Sequence, residues 1–333
     1  MIEDKFKEPD KFQWGSFKDA DGANIRYGRL KPEGETKGTM VMLPGFRESV
    51  EKYFEVAREM QSKGFDVWVM DWKGQGGSDR LIAANPHKAH GDGYDKHIAA
   101  LHEFTQNVVA KEDGKPLVMM AHSMGAHIGL RYLKEHDGVF DSALMTSPMV
   151  DIITAGLPKP LARQMAKFAK AGNYLDKYIP GGTDWNDLEK FEENKKTTCP
   201  ERFEISKEIC RANDKLKIGD PTYGWIYHTF ASIDILNDEK YLKAITTPIL
   251  MEVSDNELIV DRAAQDRALG FLPSAKKVEI AGAKHEIWME RDELRDQWLQ
   301  KVSAFLDERL ALAAPAPKKP SPPAIRPPRP PGM

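Results

Sequence analysis

The stretch "KPLVMMAHSMGAHIGL" (residues 115–130) decides how the whole chain is interpreted. An apolar run over residues 117–120 leads into a polar His-Ser pair flanked by small residues, and apolar residues at helical spacing follow at once. A buried strand, a sharp corner and a helix form the setting in which one serine is held exposed as a nucleophile. The sequence therefore predicts a strand–corner–helix unit with Ser123 as its catalytic residue.

The segments around this stretch alternate between strands and helices. An antiparallel hairpin is predicted near the start, because two strand-like runs flank the turn-rich "KDADG" (residues 18–22). Strands are predicted within 38–45, 65–72, 141–148, 248–254 and 276–282, and helices within 51–64, 94–114, 261–272 and 291–310. Strands joined by helices of this length predict an α/β fold with a mostly parallel sheet flanked by helices. Ligands of such sheets bind beyond the carboxyl ends of the strands.

The chain is predicted to divide into a core, an insertion and a tail. The core comprises residues 1–150 and 246–312. Between them, residues 151–245 are rich in Tyr, Trp and Phe and show helical periodicity, which predicts a helical lid. The tail, residues 313–333, has nine prolines, four basic residues and no acid, so we expect disorder or polyproline II. Its segment "PPAIRPPRPPG" is also a hypothetical ligand for an SH3-like partner, although a solvated tail is the simpler interpretation.

Composition excludes several classes of protein. Hydrophobic content of 41%, charged content of 30% and a net charge of −3 are typical of soluble globular proteins and give no reason to expect nucleic-acid binding. No apolar run reaches the ~18 residues of a membrane span, and the charged N-terminus is unlike a signal peptide. Two cysteines are too few for a disulfide framework, and no histidines show metal-ligand spacing. We expect a cytoplasmic protein without a metal or cofactor.

A serine nucleophile needs a histidine base and a carboxylate that orients it. Nucleophiles of this type take the acid and then the histidine from the ends of later strands. Only His285 of the later histidines follows a strand signal; the excluded ones are His127, His136 and His228. For the acid, Asp255 comes soonest after its strand and Glu257 precedes the apolar "LIV", so both stay open, whereas Asp261 has the position of a helix N-cap.

The negative charge that forms on the attacked carbonyl oxygen needs preorganised N–H donors. The amide of Met124 is one candidate, because it follows the nucleophile at the start of a helix. The amide of Phe46 is the other, because Gly45 lets the backbone after the strand "TMVML" bend inward. We expect these two backbone amides to form the oxyanion hole.

The chain resembles α/β-hydrolases of the bacterial lysophospholipase and monoacylglycerol-lipase branch over about residues 13–310. The resemblance lies in "AHSMG", in "GFDVWVMDWKGQGGSDR" (64–80), in "FRESVEKYFEV" and in "GAKHEIWMERDELRD". It implies an eight-stranded sheet, a helical lid after the sixth strand, and a serine esterase that needs no cofactor and hydrolyses a lysophospholipid or monoacylglycerol. Ala121 stands where the family has the first Gly of the serine motif. Pro44 stands where the family has a His, directly before Gly45 and the candidate oxyanion loop. Ungapped alignment puts Glu257, with Asp255 as the alternative, at the acid position.

Other interpretations stay open at this point. The substrate is alternatively a small ester, a lactone or a peptide, since fold alone does not decide it. A non-catalytic binding protein whose tail recruits a partner is a further alternative. Tyr223 and Trp225 either line an acyl pocket or form the lid's own core. Transient contact with a membrane surface, through the lid or the basic tail, would make the protein peripheral.

Overall fold

The computed structural model describes residues 3–112, 114–154 and 156–313. Eight strands form one sheet in the order β1-β2-β4-β3-β5-β6-β7-β8. The strands are β1 (Gln13–Lys18), β2 (Asn24–Leu30), β3 (Gly38–Leu43), β4 (Phe65–Met70), β5 (Leu117–His122), β6 (Ser142–Thr146), β7 (Ile249–Glu252) and β8 (Ala275–Val278). Strands β3 to β8 run parallel, while β1 and β2 form the antiparallel hairpin that the sequence predicts. The carboxyl ends of the six parallel strands therefore meet at one edge.

Nine α-helices connect and cover the strands in the described residues. They are α1 (Phe54–Ser62), α2 (Tyr94–Glu103), α3 (Met124–Glu135), α4 (Lys159–Ala171), α5 (Pro200–Ala212), α6 (Tyr223–Leu236), α7 (Glu239–Lys243), α8 (Arg262–Phe271) and α9 (Asp292–Ala313). The predicted helix at 51–64 begins as a 3₁₀ turn, and the one predicted at 94–114 ends earlier, in a π-helical turn, Phe104–Val108. No helix among these is long and apolar enough to cross a bilayer.

The sheet is buried on both faces, which explains why its central strands are apolar without alternation. On β3, Met40 and Met42 pack into a core shared with α1 and α9, whereas Val41 and Leu43 pack into a second core shared with α2, α3, α6 and α8. Every residue of β3, β4 and β5 is buried. This two-sided packing fixes the strand ends that present the site.

The insertion between β6 and β7 contains α4 to α7. These helices lie in the region whose sequence has helical periodicity, and α6 packs directly against the core formed with α3. The carboxylate of Asp261 accepts the Ala264 N–H, as predicted for an N-cap. The proline-rich segment, residues 314–333, lies outside the described residues.

Candidate active site

Ser123 lies at a strained corner of the backbone between β5 and α3. Its φ of +50° and ψ of −113° lie outside the conformations that side-chain-bearing residues normally adopt. Two backbone bonds hold the corner, since the Ser123 amide donates to Thr146 and the Met149 amide donates to the Ser123 carbonyl. At Gly125 a Cβ atom would lie 2.3 Å from the Leu43 carbonyl oxygen, so only glycine fits there. The corner that "AHSMG" predicts is present, with Ala121 buried in place of the family's glycine.

The serine is joined to a histidine and a carboxylate by two short hydrogen bonds. Ser123 Oγ lies 2.9 Å from His285 Nε2, and His285 Nδ1 lies 2.7 Å from Glu257 Oε2. His285 comes from the loop after β8 and Glu257 from the loop after β7, both at the carboxyl edge of the sheet. The structure thus brings together three side chains that are far apart in the sequence.

Two backbone amides aim the carboxylate of Glu257 at the histidine. The N–H groups of Ile259 and Val260 donate to its Oε1 at 2.7 and 3.1 Å, which leaves Oε2 for His285. Asp255 points elsewhere: its carboxylate accepts the Gly282 amide and its side chain is 45% exposed. The geometry therefore favours Glu257 of the two acids that the sequence left open.

The electrostatics of this pair suit a base at neutral pH. Burial alone would lower the pKa of His285, but the charge of Glu257 and its hydrogen bond raise that pKa above the ordinary value. Burial opposes ionisation of Glu257, yet His285 and the two backbone amides hold the pKa of this carboxyl below its usual range. The carboxylate is therefore ionised, and its charge favours a protonated imidazole at His285.

The loop after β3 carries Phe46, which lines the same cavity as Ser123. Its neighbours are occupied, because the Gly45 N–H donates to Glu48 and the Arg47 N–H donates to Gln75. The Phe46 and Met124 amides have no acceptor among the described residues. The buried Gln75 amide group also donates to the Gly45 and Glu48 carbonyls, so it holds both ends of the turn. Two unoccupied N–H donors are what an oxyanion hole requires.

A buried ionic cluster supports this loop, and sequence reasoning did not find it. Lys52 Nζ contacts carboxylate oxygens of Glu48 and Glu286 at 2.6 and 2.8 Å, and the Tyr53 hydroxyl donates to Glu48. His122 joins the two carboxylates closely enough for the three to be a possible metal-binding group. The Lys52 ammonium already supplies the positive charge, however, so these residues do not fit a metal. Polar residues scattered over short loops give no periodic pattern in the sequence, so the sequence did not predict this cluster.

A cavity of about 520 Å³ opens in front of the serine. Ser123 and His285 line it together with residues of the insertion, among them Trp185, Phe203 and Ile218. Neither Tyr223 nor Trp225 is among the described residues that line it. Trp225 packs instead against Phe46, with ring centroids 4.2 Å apart, so it supports the candidate oxyanion loop from behind.

The fold and the site together define an α/β-hydrolase in which a serine, a histidine and a glutamate are linked by hydrogen bonds. The family model described as "Serine aminopeptidase, S33" matches residues 34–292, and the chain belongs to this family of serine hydrolases. The chain is 30% identical to lysophospholipase L2 of Escherichia coli K12, with 87% of the chain and 86% of that protein covered. It is 23% identical to human monoglyceride lipase, covering 89% and 91%.

A solved structure shows the same fold. A soluble variant of the Saccharomyces cerevisiae monoglyceride lipase, in complex with a substrate analog, superposes with a TM-score of 0.69 at 17% identity, covering 92% of this chain and 99% of that one. The eight-stranded, mostly parallel sheet expected from the resemblance is thereby confirmed.

Proposed function

We propose that this protein hydrolyses carboxylic esters of lipids with a single acyl chain, a lysophospholipid or a monoacylglycerol. The observation that supports this most strongly is the chain of hydrogen bonds from Ser123 through His285 to Glu257, because Ser123 and His285 line a cavity with both apolar and charged side chains. Apolar groups in that lining suit an acyl chain, and charged groups such as Lys207 and Glu189 suit a polar head group. The names of the relatives point to the same substrates.

The reaction proceeds through an acyl-enzyme. Ser123 Oγ attacks the ester carbonyl while His285 Nε2 takes the hydroxyl proton, and the carbonyl oxygen gains the negative charge. The N–H groups of Phe46 and Met124 stabilise that charge, and Glu257 stabilises the imidazolium. His285 then gives the proton to the departing alcohol oxygen as the C–O bond breaks. Water repeats the sequence on the acyl-enzyme, releasing the fatty acid and restoring Ser123.

Labelling with a fluorophosphonate probe tests the catalytic assignment. Such a probe phosphonylates a serine only when a base has activated it, so the wild type is expected to react and Ser123→Ala is not. Circular dichroism shows whether the variant is folded. If the folded Ser123→Ala protein is labelled as fast as the wild type, the nucleophile is assigned to the wrong residue.

A substrate series separates the lipid assignment from its rivals. The wild type is assayed with lysophosphatidylcholine, monoacylglycerol and p-nitrophenyl esters, each with acyl chains from two carbons to sixteen. A kcat/KM that rises with chain length supports a lipid substrate. A preference confined to two- to four-carbon esters would favour the small-ester alternative, and no turnover of any ester would favour the peptide or binding-protein alternatives.

Residues 151–245 are proposed to act as the lid over this cavity, and their α4 as the part that meets a lipid surface. The side chains of Leu161 and Phe168, seven residues apart on α4, are exposed to 49% and 66%. Lys167 and Lys170 stand beside them, and no acid lies within the helix. Apolar side chains flanked by cations suit an anionic bilayer surface. The cytoplasmic location remains a prediction.

Co-sedimentation with phosphatidylglycerol vesicles tests this surface. The double variant Leu161→Ser/Phe168→Ser is expected to bind several-fold more weakly than the wild type. Leu312→Ser, which changes a 68% exposed leucine on α9, is the matched control and is expected to bind as the wild type does. Equal loss in both variants would contradict a role specific to α4.

A further inference from the structure

Glu252 is a fully buried carboxyl group at the end of β7, and the reaction described above does not use it. Its ladder partners are Thr146 on β6 and Val278 on β8, neither of which carries a charge. In the described part of the chain its side-chain contacts are with two hydroxyl groups. Oε1 lies 3.1 Å from Ser254 Oγ, and Oε2 lies 3.4 Å from Ser147 Oγ. A buried carboxylate without a cation is costly, so its protonation state needs an explanation.

Counting protons shows which form of Glu252 satisfies these contacts. Ser254 Oγ lies 2.7 Å from the Lys284 carbonyl oxygen, a shorter contact than the one to Glu252, so we assign the single Ser254 proton to the bond with Lys284. Ser147 Oγ lies 2.9 Å from Ser254 Oγ and 3.4 Å from Glu252 Oε2, so its single proton serves one of these two contacts. No hydroxyl proton is then left for the contact between Glu252 and Ser254. The contact becomes a hydrogen bond only if the carboxyl group carries the proton and donates it.

This network reaches the loop that bears the catalytic histidine. Lys284, whose carbonyl is held by Ser254, immediately precedes His285. Ser254 also lies three residues before Glu257, at the start of the loop that carries the acid. We propose that Glu252 is a positioning residue that works as a neutral carboxylic acid: it donates to Ser254, and Ser254 holds the Lys284 carbonyl and so sets the position of His285. This inference rests on the proposed function of the site.

The surroundings of Glu252 favour the protonated form. Burial is the largest influence on the pKa of Glu252; together with the nearby charge of Glu257 it outweighs the hydrogen bonds from Ser254 and Ser147, which lower that pKa, and raises it to about 8. The other ionisable groups around the network are Arg262, which donates to the Ser254 carbonyl, His285 on the loop after β8, and His122, whose Nδ1 contacts the Thr146 hydroxyl. None of these gives the Glu252 carboxyl a direct ionic partner. Above its pKa the group loses its donor and places a second negative charge near Glu257.

Two variants separate the donor role from a merely structural one. Glu252→Gln keeps a donor toward Ser254 and cannot ionise, whereas Glu252→Leu has a similar size and no donor. Phosphonylation of Ser123 by the fluorophosphonate probe is timed from pH 6 to pH 10 for each protein. The wild-type rate is expected to fall above pH about 8, by up to about tenfold per pH unit. Glu252→Gln is expected to react within about threefold of wild type at pH 7 without that decline. Glu252→Leu is expected to lack the decline as well and to react about tenfold more slowly than Glu252→Gln over the whole range.

A second measurement does not depend on activity or on the folding of Glu252→Leu. The infrared difference spectrum of wild type minus Glu252→Gln is expected to show the carbonyl stretch of a protonated carboxylic acid at pH 7 and its loss above pH about 8. The proposal is overturned if that band is absent at pH 7, or if Glu252→Gln keeps the alkaline decline. A wild type that is not labelled at any pH would instead contradict the proposed function, while the infrared band would still report on Glu252.

Discussion

Replacing Glu257 with Gln exchanges one carboxylate oxygen for an NH₂ group. This change is expected to move the proton of the neutral His285 ring from Nδ1 to Nε2. The carboxylate accepts three N–H groups, two from the backbone at Oε1 and one from His285 at Oε2. In the Gln variant the amide oxygen must face the Ile259 and Val260 amides, because its NH₂ group has only donors. The NH₂ group then faces His285 Nδ1, which can accept only if its proton moves to Nε2. An Nε2 that carries a proton cannot take one from Ser123.

The magnitude follows from what the variant loses. The histidine must react from a disfavoured tautomer, and its imidazolium then forms in a buried site without the neighbouring negative charge. The corresponding carboxylate-to-amide change from Asp to Asn in a serine protease triad slows kcat about 10⁴-fold. We expect phosphonylation and ester turnover by Glu257→Gln to be about 10³- to 10⁴-fold slower, equivalent to about 4.1 to 5.4 kcal/mol of transition-state free energy.

Stopped-time labelling with the fluorophosphonate probe measures this rate, and a thermal melt checks the fold. Asp255→Asn is the matched control, because the exposed Asp255 carboxylate contacts a loop amide and does not contact His285. It is expected to react within about twofold of wild type. A Glu257→Gln protein within tenfold of wild type, or an Asp255→Asn protein that is the slower of the two, would refute the assignment of the acid.

Three further predictions concern the same site. Gly125→Ala is expected to lower the melting temperature and the labelling rate, since its Cβ would lie 2.3 Å from the Leu43 carbonyl oxygen. The control Gly270→Ala, at a position in α8 with open space around it, is expected to raise the free energy of unfolding by up to about 1 kcal/mol. Equal shifts of the two melting temperatures would contradict this reasoning. The pKa of His285 is raised above the ordinary histidine value of 6.5, and only neutral imidazole accepts a proton. We therefore expect kcat/KM to rise with pH through a midpoint above 6.5. A midpoint below 6.5 would argue against the pairing of His285 with Glu257. Gln75→Leu is expected to lower kcat about 10- to 100-fold with little change in KM, measured by steady-state turnover, because it releases the loop that presents the Phe46 amide.

The sequence by itself determined the fold class and predicted the two central residues of the candidate site. Uninterrupted apolar strands and helices closed by glycine are local patterns, and the structure has the strands and most of the helices where those patterns predict them. Ser123 lies at a corner that small neighbours make possible, and His285 is the one later histidine that follows a strand. Both inferences need only order along the chain, because parallel strands end at one edge of the sheet.

The choice between Asp255 and Glu257 needed the tertiary structure. Both carboxylates lie a few residues after β7, and counting residues from the strand does not give the direction of a side chain in an irregular loop. The Ile259 and Val260 amides, turned inward by the following backbone, are what aim Glu257 at the histidine. Trp225 is a similar case, since only packing shows that it lies behind Phe46 and not in the cavity.

The groups that hold the site in place were decided by the tertiary structure alone. Glu48 and Gln75, which are 27 residues apart in the sequence, both accept hydrogen bonds from backbone amides of the Phe46 loop. Glu252 is, in the sequence, only one acidic residue at the end of a predicted apolar strand. Their contacts are polar and short-range, and the residues involved follow no periodic spacing, so no sequence pattern predicts these contacts. Hydrophobic periodicity records which face of an element is buried, whereas a hydrogen-bond network depends on which distant atoms the fold brings within about 3 Å.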